Sequence, residues 1–567
     1  MPPRPLASLL LPLLLLAACA SPRATAPPPS ALARASDPAR GLAALDSAAI
    51  RSGMAELASD AYEGRGTGTP GERRAVDYIA GRMRAAGLAP GAPNGTFFQP
   101  VPLLGSTPRG TSALSLSRGD SSASFTFVRD FVLSTDLDAP SAALDGELVF
   151  VGYGIANPGE RWDDFKDVDV RGKILVAFVN DPPATDAEPA LFQADTLTYN
   201  GRWTYKYEEA RRRGAAGMLL VHTLGTASYP FQVLAASAPR EQVQLATPPA
   251  NPLTLKGWIS QPAAERLARM AGTSLNAWFE AAATRGFRPQ PTGVRVRVRS
   301  DFEVRRFEGT NVIGRLEGAT RPAEAVVYSA HHDHLGKSDE MIAAGRDGIY
   351  NGAVDNASGV GMMLALADAF ARHTERPART LLFVTFTAEE SGLLGAGYYA
   401  DHPAVPLVNT IANLNVDSGN LNGPTEDLVG IGAERSEMLG LLRAAAAEER
   451  MTVTPDSRPN AGLFFRSDQL AFARGGVPAV FFNTGRRFTG QPAEYAARVE
   501  GEYNQSRYHQ PSDELLPTMR FGGIVQQTRV AYRLGLRLAS TDLRPRWKAA
   551  EAFGATREAS ERAAGIR

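Results

Sequence analysis

The chain has 567 residues, 44% of them hydrophobic and 21% charged. That is too long for one ordinary domain and too apolar for a disordered chain. Sixty Lys and Arg balance sixty Asp and Glu, so no basic excess points to nucleic acid, and a single cysteine excludes a disulfide framework and a Cys-rich zinc site. Histidine is scarce, at seven in the chain, yet His331, His332 and His334 fall within four residues.

The chain opens MPPRPLASLLLPLLLLAACASP. Arg4 precedes an apolar run over residues 6–16, broken by Pro12. The run is too short to span a bilayer permanently and reads as the core of a signal peptide over residues 1–18. It ends in Leu16-Ala17-Ala18-Cys19, and Cys19 is the only cysteine. This resembles a bacterial lipoprotein signal. The resemblance implies a lipid on Cys19 and a place in the cell envelope, with Ala20 leaning towards the outer membrane. Ordinary secretion with an incidental cysteine is the alternative. Residues 19–45, rich in Pro, Ala and Ser, read as an extended tether.

Residues 46–140 predict helices at 50–57 and 72–86, the second ending at Gly87. Between them lies the Gly-rich turn EGRGTGTPGE. It lacks the strand-then-helix setting of a phosphate loop and reads as a loop. From 141 to 290 the character changes. GELVFVGYG and GKILVAFVND are strand-like, and YKYEEARRRGAAGMLLVHT reads helix, Gly, strand. With VGYGI, WDDF and VRGKI, this order resembles the protease-associated domain, which implies a smaller β-rich α/β insert. His222, in MLLVHT, reads as a packed position, and Trp162, Trp203 and Trp258 as core or interface residues. Residues 291–545 alternate apolar strands (AEAVVYSA, RTLLFVTFTA, NTIANLNVD, VPAVFFN) with helices. The expected fold is α/β: a mixed, largely parallel sheet with helices on both faces. The polar, Ala-rich tail, residues 546–567, reads as a surface helix or a frayed end.

Chemistry-bearing residues cluster at the ends of these elements. In order the chain reads SAHHDHLG, NGAVDNASGVG, FTAEESGLLGAGYY, NLNVDSGN and YHQPSDE. In open α/β sheets, sites form beyond the carboxyl ends of strands. Imidazole with carboxylate suits zinc, and a carboxylate can bridge two ions. His332 and His334 are alternative ligands on spacing, with His331 preferred because adjacent side chains point apart.

These motifs resemble the M28 family of zinc aminopeptidases and carboxypeptidases, over residues 50–538. The resemblance implies a zinc-exopeptidase-like fold, peptide substrates and two zinc ions per chain. It assigns His331, Asp355 and Asp417 to one ion, and Asp355, Glu390 and His509 to the other. Glu389 is then the general base. Asp333 orients His331 through its free imidazole nitrogen, and Tyr508 either steadies an oxyanion or is a packed aromatic. Where the family usually reads Ser-Asp-His, this chain has Ser467-Asp468-Gln469. An aminopeptidase is the leading expectation. A carboxypeptidase would need cations for the substrate carboxylate, and Arg466, Arg474, Arg486, Arg487 and Arg507 are candidates. A receptor-like protein without catalysis and a single-zinc cyclotransferase are further alternatives, the latter disfavoured by the insert. The other expected partner is a membrane, through the lipid anchor; nucleic acid is not expected. The insert is expected to wall the cleft.

Overall fold

The computed structural model describes residues 38–566, apart from 195, 228, 374 and 550. The signal segment, Cys19 and most of the tether lie outside the described residues. Among the described residues no helix is long and apolar enough to cross a membrane.

The strand Arg321–His331 is the axis of the site-bearing sheet. It pairs in parallel with Arg379–Phe386 on one side and Thr410–Val416 on the other. Ala479–Thr484 continues the parallel set. Asp427–Ile431 and Gln290–Leu316 flank it antiparallel. Every residue of Arg379–Phe386 and Thr410–Val416 is buried, as a sheet covered on both faces requires. Alternate residues of a strand face opposite ways. Val326, Tyr328 and Ala330 pack with the helices Ser47–Leu57, Pro70–Ala85, Gly359–Ala371 and Gly522–Ser540. Ala325 and Val327 pack against Ala396, Tyr399 and Phe472 of the helices Leu394–Asp401 and Gln469–Arg474. The chain therefore forms the mixed, largely parallel sheet with helices on both faces that its pattern predicts. Helix starts are set locally. Asp46 Oδ1 caps the first of these helices through Ala49 N–H at 2.9 Å, and Pro70 opens the second, two residues before the predicted start.

A second apolar cluster runs from Leu114 to Phe302 and so reaches past residues 141–290 on both sides. Its sheet sets Ser141–Phe150, Ile174–Phe178, Gly217–Val221 and Leu255–Ile259 in parallel, with Phe131–Ser134 antiparallel at the edge. One long strand, Gln290–Leu316, joins this sheet to the first by pairing antiparallel with Ser141–Phe150 and with Arg379–Phe386, and Phe98–Arg118 pairs antiparallel along it. Trp162 and Trp258 are buried. His222 is buried beside the rings of Tyr229, Phe231 and Trp258.

The C-terminal tail does not fray. Residues Ala552–Ala563 form a helix that buries Phe553, Arg557 and Glu561. Trp547 and Phe553 join Phe464 and Phe465 in one cluster, and Trp547 Nε1 donates to the Gly476 carbonyl at 2.9 Å. The buried stripe holds one apolar residue and an Arg–Glu pair, which is why its sequence looks solvated. Phe553→Ala is expected to lower stability by roughly 3 kcal/mol, read as a fall in the urea midpoint at unchanged slope.

Candidate metal centre

The strand ends deliver the candidate side chains to one place. His331 closes the strand Arg321–His331, and Asp417 directly follows Thr410–Val416. Glu389 and Glu390 follow Arg379–Phe386 by three and four residues. Asp355 stands in the turn Ala353–Ser358 before the helix Gly359–Ala371. His509 follows the helix Tyr495–Ser506.

The arrangement turns on Asp355. Its Oδ1 lies 3.2 Å from His331 Nε2, and its Oδ2 lies 3.2 Å from His509 Nε2. His331 Nε2 is also 3.5 Å from Asp417 Oδ1, and His509 Nε2 is 3.1 Å from Glu390 Oε2. One carboxylate thus faces two sets of donors, one oxygen to each. Ligand atoms of His331, Asp355 and Glu390 lie within 4.8 Å of one another, as do those of His331, Glu389 and Asp417. His509 Nε2 is buried and, for all its nearness to these oxygens, makes no well-aligned hydrogen bond among the described residues. Mixed imidazole and carboxylate donors converging at these distances fit zinc.

The charges are tightly interlocked. Burial disfavours a charged His331, yet Glu389 and Asp417, with Asp355, hold its pKa well above the usual imidazole value. Burial likewise opposes a charged His509, but Glu390 and Asp355 raise it to about 10. Glu390 sits at about 2: burial and Asp355 push it up, while His509 and His334 pull it down further. Burial pushes Glu389 well above the carboxylate range. A dication on these atoms must displace imidazole protons. His509 carries a proton below about 10, so zinc affinity is expected to rise with pH through the neutral range and to fall in acid. A zinc titration repeated across pH, with proton release recorded, checks this.

Other expected residues take defined places. Asp333 makes a different contact from the one expected. His331 Nδ1 meets its backbone carbonyl at 3.1 Å, while the carboxylate is 3.8 Å away. That carboxylate instead accepts from the backbone N–H of Glu389 at 3.0 Å and of Glu390 at 3.3 Å, so it positions the base candidate and a ligand candidate together. His334 Nδ1 meets Glu390 Oε1 at 2.6 Å. His332 turns elsewhere, with Nε2 3.5 Å from Glu72. Tyr508 is 45% exposed, and its ring stacks on His509 with centroids 3.9 Å apart. Gln469 accepts from Asn415 Nδ2 at 2.8 Å and donates to the Phe464 carbonyl at 2.8 Å, which ties its helix to the strand that ends at the site.

Two residues escaped the sequence reading. Arg65, in the Gly-rich turn, is fully buried. It donates to the carbonyls of Leu57 and Asn351 at 2.6 Å, His332 at 2.8 Å and Gly352 at 2.9 Å. It therefore pins the segment carrying His331 to the segment carrying Asp355. The turn is an anchor and not a free loop. A Cβ on Gly64 would stand 2.1 Å from the Gly336 carbonyl oxygen, so the glycines there allow close backbone approach. Asp513 is the second. Its Oδ2 accepts from the N–H groups of Val354 and Asp355, each at 3.1 Å. It lies in YHQPSDE, four residues beyond His509, and its signal was the motif itself.

The cluster opens into a cleft of about 2760 Å³. His331, Asp355, Glu389, Glu390, Asp417 and Tyr508 line it from the first sheet, and Trp203, Tyr207, Tyr229 and Trp258 from the second.

The chain is 31% identical to "Aminopeptidase NAALADL1" of Mus musculus over 173 residues, 28% of this chain and 21% of that protein. It is 36% identical to a "Probable zinc metalloprotease" of Pyrenophora teres f. teres over 108 residues, 19% of this chain and 22% of that protein. The match thus spans about a fifth of each relative's length. Among solved structures, an aminopeptidase from Aneurinibacillus sp. strain AM-1 aligns over 90% of this chain and 97% of that one, at 18% identity and a TM-score of 0.47. Residues 311–519, the stretch that carries every candidate ligand and the candidate base, match Peptidase family M28.

Proposed function

We propose that the chain is a zinc peptidase that uses two ions to remove amino-terminal residues from peptides. The observation that carries this reading is Asp355, whose two oxygens face His331 and His509 separately. His331, Asp355 and Asp417 would hold one ion, and Asp355, Glu390 and His509 the other, each set leaving a position open. Three ligand carboxylates against two dications leave a net positive centre. Zinc bound there supplies a Lewis acid and lowers the pKa of water.

The chain's own groups do the rest. Glu389 lies beside the ligand cluster, 4.0 Å from His331 Nε2, and is assigned the role of base. Its carboxylate takes a proton from the attacking water and passes it to the leaving nitrogen. Asp333 fixes the backbone beneath Glu389 and Glu390, and Arg65 locks the two ligand segments together. Tyr508, at the mouth, donates a hydrogen bond to the carbonyl oxygen under attack. The names of the matched relatives, an aminopeptidase and a probable zinc metalloprotease, agree with this reading. The second sheet is read as a protease-associated domain that narrows the cleft to peptides. Cys19 is read as a lipid anchor in a bacterial envelope, and incorporation of labelled fatty acid, absent in Cys19→Ser, tests that.

Activity is tested on peptides with free and with acetylated amino termini, at fixed zinc. Release of the first residue from free peptides, abolished by acetylation and by chelation, is expected. Release of the last residue from acetylated peptides would instead make the chain a carboxypeptidase.

A further inference from the structure

His334 belongs to the histidine-rich segment after the strand Arg321–His331, yet neither the ligand assignment nor the mechanism uses it. Its side chain is fully buried. Its Nδ1 lies 2.6 Å from Glu390 Oε1. An ionised carboxylate only accepts, so Nδ1 carries the hydrogen and donates it. The other ring nitrogen, Nε2, is buried and makes no hydrogen bond among the described residues. Three neighbours fix the ring. The His334 N–H donates to the Arg65 carbonyl at 3.2 Å. The ring meets that of His509 edge to face, with centroids 5.6 Å apart. Gly352 leaves the space the ring fills, since a Cβ there would stand 2.6 Å from His334 Cδ2. A buried nitrogen without a partner costs about 1–3 kcal/mol, so a ring needed only for packing would serve better as an apolar one. What the imidazole adds is the hydrogen bond to Glu390.

That bond divides the Glu390 carboxylate. Oε1 goes to His334, and Oε2 lies 3.1 Å from His509 Nε2. Asp333, the other residue that steadies this strand end, takes the backbone N–H groups of both Glu389 and Glu390, and so acts on the base and the ligand together. His334 acts on one side-chain oxygen, and it makes no hydrogen bond to His331, Asp355 or Asp417 among the described residues. We propose that His334 is a positioning residue for one ion alone: it turns Glu390 so that Oε2 faces Asp355 and His509, and thereby sets how tightly the ion between them is held. The proposal rests on the two-ion reading and deepens it. A chain without the His334 donor would be a one-ion form at zinc concentrations that fill both positions of the parent.

The test measures zinc and does not depend on turnover. The full chain is stripped of metal, and zinc uptake is followed in competition with a chromophoric chelator. His334→Phe keeps a planar ring and removes the donor. His334→Gln stays polar but carries its amide past the place of Nδ1. His334→Asn puts an amide N–H at that place. The parent is expected to take two ions. His334→Phe and His334→Gln should hold one of them within about threefold of the parent and the other about 10- to 100-fold more weakly. His334→Asn should recover most of that loss, which a role in packing alone would not allow. In a chain already carrying Glu390→Gln, His334→Phe should add little, because its effect runs through that carboxylate. Circular dichroism checks the fold, and His334→Gln carries the comparison if His334→Phe does not fold. Both ions held at parental affinity by the variants, or both weakened equally, overturns the proposal and leaves the two-ion reading standing. A parent that takes a single ion overturns both.

Discussion

Asp355→Ala is expected to strip the chain of both ions. Each oxygen of Asp355 faces a different histidine, at 3.2 Å in both cases. Without it, each proposed ion keeps two protein ligands: His331 and Asp417, or Glu390 and His509. The loss should exceed the 10- to 100-fold weakening typical of a disrupted outer-shell contact, so at least about 10²-fold in zinc affinity is expected at both positions. The fold should survive. The backbone at this turn is held independently, by Asp513 on the Asp355 N–H and by Arg65 on the Gly352 carbonyl. Zinc counted after dialysis, with circular dichroism on the same sample, separates metal loss from unfolding. One ion retained at parental affinity would mean that Asp355 serves a single site.

Glu389→Gln should do the opposite: keep the metal and lose the chemistry. The substitution preserves size and keeps the backbone N–H that donates to Asp333 Oδ1 at 3.0 Å. It removes the group that can accept a proton. Turnover is expected to fall by at least about 10²-fold with KM little changed, the signature of an interaction made in the transition state. Glu390→Gln, one residue on, should instead release zinc, because Glu390 Oε2 lies 3.1 Å from His509 Nε2 and its other oxygen engages His334. If Glu389→Gln lost zinc and Glu390→Gln kept it, the two roles would exchange.

The sheet and the ligand cluster were legible in the sequence for a local reason. Each candidate stands just past an apolar run or before a helix, and strand ends place such residues on one edge. What was not legible depends on contacts between distant segments. Arg65 meets carbonyls 267 to 287 residues away, and only a cluster of glycines marks its turn. Asp333 shows the same limit: spacing placed it beside His331, but only the fold decides that its carboxylate caps Glu389 and Glu390. The tail forms the surface helix that was one of its two readings; its docking was not legible because the buried stripe pairs Arg557 with Glu561, a pattern identical to a solvated face. The long connecting strand carried a signal that went unread. In TGVRVRVRSDF, Val294, Val296 and Val298 are buried and the arginines between them exposed, a period of two that marks a half-buried strand.

The direct measurement of the proposed two-ion centre is the zinc content of the folded chain across a series of free zinc concentrations, with amino-terminal peptide hydrolysis followed in the same samples. Two ions per chain at saturation, both lost in Asp355→Ala, is the expected result. A plateau at one ion per chain with full hydrolysis, unchanged by Asp355→Ala, would contradict a centre bridged by Asp355.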